Sequence, residues 1–87
     1  MGEIKYNLKA DGIAYLYRSA FYLAKGDTLS GLMMLKKAEE RIDQNEMEKL
    51  QPLFENPDNY LSNESKKRFW AEKILNEYRR LFNLLPK

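Results

Sequence analysis

The chain contains neither cysteine nor histidine. Without thiols there is no disulfide framework and no thiolate metal site, staples that a small secreted domain usually needs, so a cytoplasmic location is expected. The absence of imidazole removes the usual nucleophile–base pairs and most transition-metal sites as well. Glycine and proline are scarce, with 4 and 3 residues, a composition unlike that of a disordered or collagenous chain. Apolar runs such as IAYLY and GLMML reach only 5 residues, far below the roughly 18–20 that cross a bilayer. Charge interrupts MGEIKYNLKADG, so no signal peptide is read there.

What remains is a short chain rich in apolar and charged residues. Its 87 residues are 44 % hydrophobic, 32 % charged and 13 % aromatic. That length supports one hydrophobic core, and residues 1–87 are read as a single domain. The net charge of +2 conceals a pattern: residues 1–38 carry +3, residues 39–63 carry −5 and residues 64–87 carry +4. An acidic centre between basic ends weighs against a continuous nucleic-acid-binding face.

Periodicity points to an all-α fold, a small antiparallel helical bundle. Ile13, Leu16, Tyr17, Ala20, Leu23 and Ala24 recur at helical spacing, predicting a first helix over about 11–25 with Asp11 as N-cap. Residues 1–9 are read either as disordered or as an N-terminal extension of that helix. Gly26 is the expected stop, and Asp27 or Thr28 the cap of a second helix reaching about Asp43, with Leu32, Leu35, Ala38 and Ile42 buried. Residues 44–62 are read as a short helix at about 46–54, introduced by Asn45 and Glu48 and limited by Pro52, then a loop with a turn at NPDN. Ser62 or Asn63 should cap a long last helix over about 63–85, whose stripe includes Trp70, Ala71, Ile74, Leu75, Tyr78, Leu81, Phe82 and Leu85, with Pro86 just beyond it.

The segment YLYRSAFYLAKGDTLSGLMMLKKA carries a resemblance. Aromatic Tyr15 and Tyr22, small Ser19, the Gly26–Asp27 turn, Gly31 with Leu32, Leu35 and small Ala38 make it similar to a single tetratricopeptide (TPR) repeat over about residues 15–43. Arg18 and Asp43 depart from that pattern. One copy cannot form an array, which needs about three repeats to bury a continuous core. A hairpin covered by a C-terminal helix also resembles the three-helix MIT domains. That resemblance implies a module that binds peptide helices, with Tyr15 and Tyr22 packed between the hairpin helices and Arg18 and Lys25 left free.

Motifs for chemistry are weak. Gly26 and Gly31 have the glycine spacing of a phosphate loop, but Leu32 and Met33 stand where its Lys and hydroxyl would be. Glu39 and Asp43 could share a hard cation on one helical face, and a solvated acidic surface explains them as well. No catalytic residue, cofactor or metal is expected, and the chain is read as a non-enzyme. The leading expectation is a protein-interaction module that binds a partner helix or a second copy of itself, with Arg18, Lys25, Phe69 and Lys73 as candidate contacts. Phe54, Phe69, Phe82 and Leu84 are apolar residues left over for a surface, whereas Met33 and Met34 are read as core filler. The alternative is a nucleic-acid-associated protein using Lys66, Lys67, Arg68, Arg79 and Arg80, with Lys73, around the basic-aromatic run KKRFW.

Overall fold

Gly26 turns the chain. In the computed structural model, which describes residues 2–85 and side chains from Leu8 onward, Gly26 adopts φ +88°, where a side chain would be strained. It closes helix α1 (Gly2–Ala24). Gly26 N–H donates to Leu23 O at 3.0 Å and Asp27 N–H to Tyr22 O at 2.9 Å, the paired bonds of a Schellman ending. Asp27 then opens α2 (Thr28–Arg41), its carboxylate accepting from Ser30 N–H at 3.1 Å. That bond holds the Asp27 carboxyl below its ordinary range.

Helix α1 starts at Gly2, and Asp11 is an exposed mid-helix residue instead of a cap. Gly12 sits inside the helix because α2 crosses there: a Cβ would lie 2.6 Å from Ile42 Cγ1 and 2.9 Å from Arg41 Cβ. Gly31 is equally confined, since its Cβ would lie 2.6 Å from Leu23 Cδ2. Between these glycines, buried Ser19 donates its hydroxyl to Gly31 O at 2.7 Å. Small residues thus bring two antiparallel helices into close contact.

Residues 44–62 hold more helix than expected. A 3₁₀ segment, Gln44–Leu50, breaks at Met47 (φ −126°, ψ 39°), and is followed by α3 (Gln51–Glu55) and α4 (Pro57–Tyr60). Pro52 and Pro57 lie in the first turns of α3 and α4. There the missing N–H has no intrahelical partner to lose, so these prolines start helices where the sequence reading had a limit and a turn. Asp43, not Asn45, caps the 3₁₀ segment, accepting from Asn45 N–H at 3.0 Å.

The last helix, α5 (Glu64–Leu84), is capped by Asn63, whose side chain accepts from Lys66 N–H at 2.9 Å. Pro86 lies outside the described residues. Helix α1 packs against both α2 and α5, and the short elements fill the gap between those two flanks. Ile13, Leu16 and Leu23 of α1 meet Leu35, Met47, Leu53 and Ile74 in one core. The fold is all-α, with no strand among the described residues.

Burial differs from expectation at several stripe positions. Tyr17 and Ala24 are exposed because they face the flank between α1 and α5, not the core centre. Phe82 is also open, whereas Phe54 packs against the core and Met33 points outward. Glu77, 4 % exposed, was not anticipated inside. Arg80 neutralises it, donating to its carboxylate at 2.9 and 3.3 Å and also to Glu46 O. Glu46 in turn accepts from Lys9 at 2.6 Å, so α1, the 3₁₀ segment and α5 share one polar chain. Its partner carboxylate holds the Arg80 guanidinium above its ordinary pKa.

Candidate functional site

The sequence along α1 contains a second apolar stripe beside the core stripe. Ala10, Ala14, Tyr17, Phe21 and Ala24 follow one another at steps of four, three, four and three, the spacing that keeps residues on one helix face. On α5, Ala71, Leu75, Tyr78 and Phe82 do the same. The antiparallel packing of the two helices sets these stripes side by side; Ala14, Tyr17, Phe21, Ala24 and Phe82 stay exposed, while Ala71 is buried and Leu75 and Tyr78 pack partly against the core. Two adjoining depressions result, one of about 420 Å³ lined by Tyr17, Phe21, Ala24, Ala71 and Leu75, and one of about 210 Å³ lined by Ala10, Ala14, Tyr78 and Phe82.

Aromatic rings form the ridge between them. Tyr17 meets Tyr78 with centroids 5.2 Å apart, and Tyr78 meets Phe82 at 5.7 Å. Tyr17 and Phe21 are each 50 % exposed and Phe82 is 53 % exposed. Large apolar side chains contiguous at a surface and rimmed by charge are the mark of an interaction site. From Ala10 to Ala24 the cleft runs about 21 Å, at 1.5 Å per residue, or roughly four helical turns.

The rim is cationic. Arg68 and Arg79 border the larger depression together with Glu72, and Arg18 borders the smaller one. Lys25 lies with its Nζ 4.8 Å from the Phe21 ring centroid. Arg68 reaches Glu64 only at 3.9 Å, with both side chains about three-quarters exposed, a pairing that contributes little.

The anticipated contact residues divide between this cleft and other surfaces. Arg18 and Lys25 stand at its edge, with Arg18 also lying 5.4 Å from the Tyr15 ring centroid. Tyr15 itself is half-buried against the core, and Lys37 and Arg41 approach the same ring at 5.6 and 5.0 Å. Phe69 and Lys73 form a separate pair on α5, Nζ 5.1 Å from the ring centroid, next to Trp70. The basic residues of α5 are spread around the helix: Lys66 donates to Asn59 O at 3.2 Å, Arg80 binds Glu77 on the edge facing the 3₁₀ segment, and Arg68 and Arg79 face α1. Lys67 is half-buried.

Glu39 and Asp43 are turned to different partners. Glu39 accepts from Gln44 Nε2 at 2.8 Å while Asp43 caps the 3₁₀ segment. Among the described residues no three acidic, His or Cys side chains gather in a metal-holding group. No helix among them is long and apolar enough to cross a membrane.

Sequence reasoning missed Tyr17, Phe21 and Leu75 as site residues. The signal was present as the width of the apolar arc on α1, which exceeds what α2 and α5 together cover. No family model, curated protein or solved structure matches this chain.

Proposed function

We propose that this protein is a non-enzymatic interaction module that receives a partner helix in the cleft between α1 and α5. The observation that carries the reading is the heptad-spaced apolar stripe of α1, which runs about four turns from Ala10 to Ala24 and leaves Tyr17 and Phe21 half exposed, set beside Leu75, Tyr78 and Phe82 of α5. A third helix laid along them would complete a small bundle with knobs between Tyr17, Phe21, Leu75 and Phe82. The resemblance of the hairpin sequence to a TPR repeat, and of hairpin plus last helix to MIT domains, supports the same reading as a likeness in residue pattern. Its setting in the cytoplasm is part of the proposal and rests on the lack of cysteine.

A nucleic-acid partner is less well supported, because the basic residues of α5 do not form one face and Arg80 is committed to Glu77. The test pairs capture with a cleft variant. Phe21→Ser should cost about 1 kcal/mol or less, because the side chain is already half exposed. The same change should remove the partners that the parent chain retains, identified by mass spectrometry from matched lysates. Retention of the same partners by parent and Phe21→Ser would refute docking in the cleft.

A further inference from the structure

Building on the docking reading, we infer that the occupant is an acidic amphipathic helix of another protein and not a second copy of this chain. The rims decide between them. Along α1, Arg18 and Lys25 lie two turns apart; along α5, Arg68 and Arg79 lie three turns apart, with Glu72 between them as the one carboxylate lining the larger depression. A helix seated on the stripes would place its flanking positions against both rims. Carboxylates there meet guanidinium or ammonium groups on either side, and Arg68 and Arg79 can donate to them bidentately.

A second copy fails this complementarity. In an isologous dimer the same patch faces itself, so the four rim cations would meet their like, with Glu72 and the exposed Glu64 beside Arg68 in each copy offsetting them only in part. Like charges so opposed disfavour association. The acidic part of the chain, residues 39–63, could serve a second copy only head to tail. Its elements, the 3₁₀ segment broken at Met47, α3 (Gln51–Glu55) and α4 (Pro57–Tyr60), are each shorter than the cleft.

The test uses three synthetic helical peptides of about four turns, each with Leu at i, i+4, i+7 and i+11 and with Glu, Gln or Lys at the flanking positions. Fluorescence anisotropy measures their affinity, and amide resonances of Ala14, Tyr17, Phe21 and Leu75 locate the contact. The Glu peptide should bind about tenfold or more tighter than the Gln peptide at low salt, with the gap narrowing as salt rises. In the Arg68→Glu, Arg79→Glu variant that preference should vanish, while a Lys36→Glu, Lys49→Glu variant of equal net charge keeps it.

Equal binding of the Glu and Gln peptides at the cleft would overturn the acidic-helix inference and leave helix docking standing. Failure of every peptide to shift the cleft resonances would refute both. Self-association in light scattering that Phe21→Asp abolishes would assign the cleft to a second copy and overturn the inference.

Discussion

Toward α2, helix α1 presents Gly12 and Ser19; toward α5 it presents Ala14, Tyr17 and Phe21. On the first flank Ser19 has 0 % exposure and a Cβ at either facing glycine would clash. On the second, half-exposed Tyr17 and Phe21 border a depression of about 420 Å³. One helix therefore shows two uses of side-chain size. Small residues close a seam and exhaust its surface, whereas large residues at the same spacing leave apolar surface unspent. Stability should be concentrated on the first flank and recognition on the second.

The strongest way to break that contrast is Gly31→Leu. The new side chain would have to displace Leu23 from a filled seam, and overpacking of this kind should lower the unfolding free energy by about 3 kcal/mol in urea titration. A variant as stable as the parent would mean that the seam is not tightly closed. A smaller effect is expected from Arg80→Ala, which strands the buried Glu77 carboxylate and cuts α5 from the 3₁₀ segment. Losing a fully buried pair costs about 3–5 kcal/mol. The Arg80 side chain is 43 % exposed, so water can reach the site and the expected loss is about 2 kcal/mol. A loss under about 0.5 kcal/mol in the same assay would show that α5 is placed by apolar packing alone.

The smallest effect belongs to the turn that feeds the seam. The Asp27 carboxyl is held below its ordinary range by the Ser30 N–H, then by the Ser30 side chain. A depressed native pKa gives stability that is present above the unfolded value of about 3.9 and is lost as pH falls through the native value. Asn can make the same cap without titrating. The parent should therefore melt higher than Asp27→Asn near neutrality, and the gap should shrink as pH drops below about 4. A gap that is constant across the acid range would show that the charge on Asp27 contributes nothing.

Long elements were legible in the sequence because each carries several turns of pattern and a local signal at its end. Gly26, Asp27 and Asn63 act where their chemistry says they should, and Ile13, Leu16, Leu35 and Ile74 are buried as their spacing implies. Residues 44–60 were not, since α3 and α4 have only 5 and 4 residues and a single turn has no period to read. Gly12 shows a different limit. A glycine inside a helix reads as a weak point until the crossing of Ile42 against it is known. The cleft is legible only with the fold in hand, because Tyr15 and Tyr17 are the same residue type two positions apart, and only the placement of α5 decides which one lines open surface. Glu77 within EYRR likewise reads as solvated until α5 meets the 3₁₀ segment.

The bond from Ser19 to Gly31 O spans 12 positions of chain, whereas the meeting of Tyr17 with Tyr78 closes a loop of more than sixty residues. Contacts near in sequence form with less loss of chain entropy, so the hairpin should assemble early and α5 dock onto it afterwards. The order of opening should be the reverse. Native-state hydrogen exchange would then find the amides of Leu23 and Leu35 protected by global unfolding and those of α5 released by a cheaper, partial one. A docked helix that bridges α1 and α5 would close this difference, so its arrival could be read as slowed exchange along the whole of α5.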